Sequence, residues 1–183
     1  MLEQLSKDES VLLCIDYQER LLPKIHMAEE ITRNAAIMIR AAQVLNIPII
    51  VTEQYPEGLG KTVHNLVETL GGEYRPIEKN SFDCFKSPEF VKKLKAAKAK
   101  KILTMGVEAH VCVCQTVLEA LRRKHHVYLL EDATSSRSPE NRKIAFDRMA
   151  KEGAIPSSVE MAIYEMLKVS GTPEFKKILE HVR

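Results

Sequence analysis

A chain of 183 residues with 27 basic and 25 acidic side chains has a formal charge of +2. It is long enough for one domain with a substantial core, and too evenly charged to be built around nucleic acid or an anionic membrane. No run of 18 uncharged apolar residues occurs and Met1 to Ser10 is too polar for a signal peptide, so no membrane partner and a cytoplasmic location are expected, with organellar targeting left open.

In chain order, the first short apolar run, Val11 to Ile15, reads as a buried strand and ends at Asp16-Tyr17-Gln18. Ile31, Ala35, Met38, Ala42 and Leu45 then form a stripe at helical spacing. Ile47 to Val51 is a second strand. Two long irregular connections follow, Tyr55 to Gly60 and Gly71 to Ser81; a short strand over Tyr74 to Ile77 is expected within the second, with Lys79 just after it. Ser87-Pro88-Glu89 opens a helix by supplying an N-cap oxygen, a preset φ and a carboxylate on the helix dipole. The basic stretch Lys92 to Lys101 reads as a solvated face. Lys101 to Met105 is a further strand, and Val113, Val117, Ala120 and Leu121 mark the helix after it. Val127 to Leu130 continues the sheet, with Asp132 expected to cap the next turn. Ser138-Pro139-Glu140 and Thr172-Pro173-Glu174 repeat the helix-opening signal, Ile155 marks a short strand, and Ser157 with Glu160 reads as a capping box for a helix through Ile163 and Leu167.

Short, continuously apolar strands alternating with helices predict a single-domain, doubly wound (Rossmann-like) α/β fold, a parallel sheet of five or six strands with helices on both faces. In such a sheet the ligand crevice lies beyond the carboxyl ends of the strands. Asp16, Lys79 and Cys112 all fall there. Cys112 follows a strand and opens a helical run, where the dipole and free N–H groups favour thiolate and oxyanion charge. Asp16 would take the thiol proton and return it to a leaving group, and Lys79 would hold the aspartate and favour the thiolate. Cys112 would attack an acyl carbon, with the backbone N–H groups of Glu108 and Cys112 as the oxyanion hole. Tyr17, Gln18, Phe82 and His110 are expected to line the substrate pocket. The four cysteines, Cys14, Cys84, Cys112 and Cys114, lack CxxC spacing and read as reduced thiols. Cys112 and Cys114 would point about 200° apart on a helix, against a mutual disulfide.

The order of Asp16, Lys79 with Phe82, and Gly106-x-x-x-x-x-Cys112-Val113, with Thr116 beyond, resembles the isochorismatase-like superfamily of cysteine hydrolases, which includes nicotinamidases. The resemblance spans residues 8–169, leaving 170–183 as a C-terminal helical extension. It implies an Asp-Lys-Cys triad, a small-molecule amide or related acyl substrate, a homo-oligomer, and a nonproline cis peptide at Val107–Glu108 that orients the oxyanion N–H groups. Metal-dependent members carry Asp-x-His after the second strand. Here Thr52-Glu53-Gln54-Tyr55-Pro56 stands instead, and His64 reads as a surface or packing residue, so no metal and no cofactor are expected. A noncatalytic scaffold retaining the pocket and an isochorismate-type vinyl ether hydrolase are the alternatives. A nucleotide- or flavin-binding domain ranks lower, because Asp16-Tyr17-Gln18 occupies the place of a G-x-G-x-x-G turn.

Overall fold

The computed structural model describes residues 4–182; the first three residues of the polar Met1–Ser10 stretch and Arg183 of the C-terminal extension lie outside them. Six strands form one parallel sheet: β1 (Ser10–Ile15), β2 (Ile49–Gln54), β3 (Ile77–Lys79), β4 (Lys101–Val107), β5 (His126–Ser135) and β6 (Ile155–Ser157), in the order β3-β2-β1-β4-β5-β6. The helices are α1 (Ala28–Val44), α2 (Pro56–Leu59), α3 (His64–Leu70), α4 (Pro88–Ala96), α5 (Cys114–Arg122), α6 (Pro139–Lys151), α7 (Val159–Leu167) and α8 (Pro173–Val182).

Continuous apolarity in the strands follows from burial on both faces. Side chains alternate across a strand, so Leu12 and Cys14 of β1 enter one core while Val11, Leu13 and Ile15 enter the other. The first core is closed by α1, α3, α7 and α8, with Ile31, Met38, Leu66, Ile163 and Ile178 inward. The second is closed by α4, α5 and α6 through Phe90, Leu94, Val117, Phe146 and Met149. Each such side chain contributes about 1.5–3 kcal/mol relative to leaving it in water.

The hydroxyl-proline-glutamate signals do cap helices. Ser87 Oγ accepts from the Phe90 N–H at 3.4 Å, Ser138 Oγ from Asn141 at 3.1 Å, and Thr172 Oγ1 from Phe175 at 3.1 Å. For α7 the cap is Ser158, accepting from Met161 at 3.2 Å, and not Ser157. Ser157 is still paired in the sheet opposite Leu130, which moves the cap one residue on. Asp132 Oδ1 accepts from the Val159 N–H at 2.9 Å, so it serves the start of α7 rather than the turn that follows it in sequence.

β4 runs two residues past its predicted end, to Val107, and three further strands continue into polar residues, later than apolarity alone suggests. β2 runs on to Gln54, β3 is Ile77–Lys79 instead of Tyr74–Ile77, and β5 resumes after a register irregularity to reach Ser135. Polar side chains at these ends find buried partners, which the hydrophobic pattern does not register.

The chain winds outward from β1 through β2 to β3, then from β4 through β5 to β6, so the direction of winding switches between β1 and β4. That switch point is where a doubly wound sheet opens a crevice. Gly106 makes the approach of these two strands close. It pairs with Ile15 at φ +144°, and a Cβ there would stand 2.3 Å from the Ile15 carbonyl oxygen. Among the described residues no helix is long and apolar enough to cross a membrane.

Candidate active site

At the end of β1 the chain turns through Asp16 with φ +56°, and the Asp16 N–H donates to Thr52 O at 3.1 Å. Its carboxylate is fully buried. Oδ1 accepts from Thr52 Oγ1 at 2.7 Å and Oδ2 from Lys79 Nζ at 2.8 Å. Lys79, the last residue of β3, also donates to Gln54 Oε1 at 2.8 Å. The Cys112 thiol donates to that same oxygen at 3.9 Å. Carboxylate, ammonium and thiol from β1, β3 and the segment after β4 therefore meet at the carboxyl edge of the sheet, with Gln54 of β2 between them.

Burial lowers the basicity of the Lys79 ammonium, but Asp16 together with the neighbouring Cys84 and Cys112 side chains holds the group above the usual lysine range. Burial, and then the negative charge of Asp16, push the Cys112 thiol up, against the downward pull of Lys79. Both of these causes favour the protonated form over the thiolate. The pull of a helix start toward thiolate is weakened, because Cys112 precedes α5. It lies in a wider π-helical turn, Ala109–Val113, in which Val113 N–H bonds Glu108 O at 3.3 Å, and α5 begins only at Cys114. Desolvation is the larger effect at that place.

The Val107–Glu108 peptide is cis. The Glu108 carbonyl accepts from Val111 at 3.0 Å as well as from Val113, and its carboxylate takes the Arg137 N–H at 3.0 Å and faces Arg137 Nε at 3.3 Å. Among the described residues its own N–H has no acceptor. A backbone donor left open four residues before Cys112 can serve a ligand oxygen.

The other residues singled out in the sequence are spread around this centre. Gln18 is fully buried and clamps β2: its Oε1 accepts from Gln54 N–H at 2.7 Å, and its Nε2 donates to Gln54 O at 2.9 Å and Gly60 O at 2.7 Å. His110 is half-buried with Nδ1 2.9 Å from Ser136 Oγ. Phe82 is half exposed on the turn after Lys79. Tyr17 does not face the crevice. Its ring lies in the opposite core with α1, and its hydroxyl donates to the Ala133 carbonyl. The left-handed turn at Asp16 sends the next side chain to that face.

Thr52, Gln54 and Cys84 belong to the cluster without having been singled out as site residues. Cys84 N–H donates to Thr116 Oγ1 at 3.1 Å, and burial pushes its thiol up to about 12. The sequence signal for Thr52 and Gln54 was three polar residues in a row directly after an apolar run. Glu53 points elsewhere, accepting from Thr62 N–H and Oγ1 and from Tyr74 Oη, each at 2.7 Å. His64 lies at the surface, 3.2 Å from Glu68. Among the described residues no group of three His, Cys, Asp or Glu side chains is placed to hold a metal ion. All four cysteines are unpaired. A roomy surface groove of about 900 Å³ between α1 and α3 has Glu29, Arg33, Arg40 and Glu68 on its walls and no thiol, so it is not where this chemistry lies.

A polar cluster at the switch point of a doubly wound sheet defines an α/β protein of the kind that binds ligands beyond its strand ends. Residues 10–161 match the isochorismatase domain, and the chain belongs to the isochorismatase-like hydrolase family. It is 35% identical over 178 residues to isochorismatase domain-containing protein 2A of Mus musculus, covering 96% of this chain and 84% of the relative. Against two longer fish relatives it spans 62% and 59% of their length. Among solved structures, a Caenorhabditis elegans protein described as MAR1 ribonuclease is 38% identical with a TM-score of 0.92, covering 98% of this chain and 92% of that one. YcaC from Pseudomonas aeruginosa, solved with hexane-2,5-diol and covalent acrylamide, is 25% identical with a TM-score of 0.92, covering 99% and 92%.

Proposed function

We propose that the protein hydrolyses an amide or related small acyl substrate through a thioester on Cys112. The observation that carries this reading is the meeting of Asp16, Lys79 and the Cys112 thiol around the Gln54 carboxamide. Asp16 takes the thiol proton as Sγ attacks the acyl carbon, and the N–H groups of Glu108 and Cys112 receive the oxyanion. The intermediate collapses, the C–N bond breaks, and Asp16 passes its proton to the leaving nitrogen. Water, deprotonated by Asp16, then attacks the thioester; the carboxylic acid leaves and Sγ recovers its proton. Lys79 stays charged throughout, holding Asp16 and offsetting the charge that forms on sulfur. A raised thiol suits this order of events, because the proton leaves only when a base stands beside it. The acrylamide bound covalently to the P. aeruginosa relative supports an electrophile-accepting site in this fold.

The test is a panel of small amides and acyl esters, with mass spectrometry of the intact protein to trap an acyl adduct. Turnover lost in Cys112→Ala and in Asp16→Asn, with the adduct on Cys112 in the parent, is the expected result. Turnover surviving in Cys112→Ala refutes the thioester.

A second reading, phosphodiester cleavage, comes from the description of the C. elegans relative as a ribonuclease. The thiol and carboxylate here are almost wholly buried and the charge balance is nearly even, which suits a small neutral substrate better than a polyanion. Cleavage of single-stranded RNA by the parent but not by Cys112→Ala would reverse that preference.

A further inference from the structure

Gln54 stands at the middle of the cluster, in the segment where metal-dependent members carry Asp-x-His, and the triad leaves it without a role. Its carboxamide is oriented without ambiguity. Nε2 donates to the Asn80 carbonyl at 2.8 Å, which can only accept, so Oε1 must face the Lys79 ammonium, which can only donate. The backbone on either side is held by the Gln18 side chain, which bonds both the N–H and the carbonyl of Gln54. The next residue, Tyr55, is fixed by its N–H on Lys79 O at 2.9 Å. A side chain so completely tied delivers one acceptor oxygen to one point, 2.8 Å from Lys79 Nζ and 3.9 Å from Cys112 Sγ.

We infer that Gln54 is a positioning residue that keeps Cys112 protonated and Lys79 turned to Asp16 until a substrate arrives. This assignment rests on the thioester reading above. An amide oxygen accepts and cannot donate, so it favours the S–H form and opposes a thiolate at the same place. It also takes one of the three Lys79 N–H bonds and directs a second to Asp16, leaving less of the ammonium for sulfur. The charged and titratable groups around Sγ are Asp16 from β1, Lys79 from β3 and the Cys84 thiol beyond β3. Of these only Lys79 favours the thiolate, and Gln54 shares its restraint with Asp16. The consequence is a nucleophile that is quiet toward adventitious electrophiles in the empty site.

The test is the pH dependence of iodoacetamide alkylation, followed at Cys112 by peptide mass spectrometry. It needs no knowledge of the substrate. Gln54→Met keeps the length and removes the oxygen. Sulfur loses its acceptor and Lys79 is free to face it, so alkylation at pH 7.5 should rise about threefold to tenfold and its pH midpoint fall. Gln54→Glu keeps the oxygen and adds negative charge, so the rate should drop by a similar factor and the midpoint rise. A role in packing alone moves both variants the same way, and shifts in the same direction, or both rates within twofold of the parent, overturn the assignment. If Gln54→Glu does not fold, the comparison passes to Gln54→Met in a Lys79→Met background. There the Gln54 shift must shrink by at least half, and an undiminished shift overturns the inference. Absence of an acyl adduct on Cys112 of the parent across the amide and ester panel would instead count against the thioester reading itself.

Discussion

Replacing Lys79 by methionine removes the charge and keeps most of the volume. The Asp16–Lys79 pair is 2.8 Å long, with side-chain exposures of 0% and 1%, so solvent does not screen it. At an effective dielectric of about 20 the attraction is about 6 kcal/mol. Desolvation of the two ions costs several kcal/mol each, so the intact pair is worth little net, whereas an abandoned buried carboxylate is expensive. Lys79→Met should therefore cost about 3–5 kcal/mol at pH 7, or about 6–20 °C in melting temperature for a domain of this size. Asp16→Asn together with Lys79→Met leaves no uncompensated charge and should recover more than half of that loss. Urea denaturation of the parent, both single variants and the double variant supplies the coupling energy. The cost should change little between 0.1 and 1 M salt, in contrast to the exposed Lys143–Asp147 pair, where screening is effective. A cost below about 1 kcal/mol for Lys79→Met, or a double variant no more stable than Lys79→Met, would refute the reasoning.

Gly106→Ala should be among the worst single changes in the chain, because its methyl group would sit 2.3 Å from the Ile15 carbonyl and pry β4 from β1. A loss of at least about 3 kcal/mol, read as a fall in melting temperature of about 6–12 °C, is expected, with Cys112 alkylation losing its pH profile as Asp16 moves away. Tyr17→Phe removes a buried hydroxyl from the Ala133 carbonyl and should cost about 1–3 kcal/mol by chemical denaturation while leaving Cys112 alkylation within about twofold. Stability should also fall in alkali. Burial raises the Cys14, Cys84 and Cys112 thiols in the folded protein above an unfolded value near 8.5, so the folded state keeps protons that the unfolded chain releases. Their contribution is fully present below about pH 8.5 and is lost above it, by about 1.4 kcal/mol per pH unit for each thiol. Urea midpoints measured from pH 8 to 10 check this, and Cys14→Ala should make the decline shallower.

The class of fold was legible because apolar runs of five or so residues, alternating with capped amphipathic stretches, have few ways to bury both faces of a sheet. Val11 to Ile15 and Ser138-Pro139-Glu140 each carry their local structure in their own residues. Asp16, Lys79 and Cys112 were legible for a related reason: each stands where an apolar run stops, and a parallel sheet brings such ends together. Hydrophobic patterning could not show what those residues meet. Gln54 lay outside the predicted second strand, since Thr52, Glu53 and Gln54 are polar; their partners come from β1, β3, Thr62 and Tyr74, up to 36 residues distant in the chain. Tyr17 looked like a neighbour of the crevice until the left-handed turn at Asp16 sent it to the opposite core. Cys112 stands where a helix start favours thiolate, and desolvation with Asp16 alongside pushes the other way. Local propensity and period are properties of a segment, so the residues of each segment settle which stretches are strands and which serine-proline or threonine-proline pairs open helices. Where a strand stops, which way a side chain points and which hydrogen bonds it shares depend on atoms contributed by remote segments, and these follow from the assembled fold.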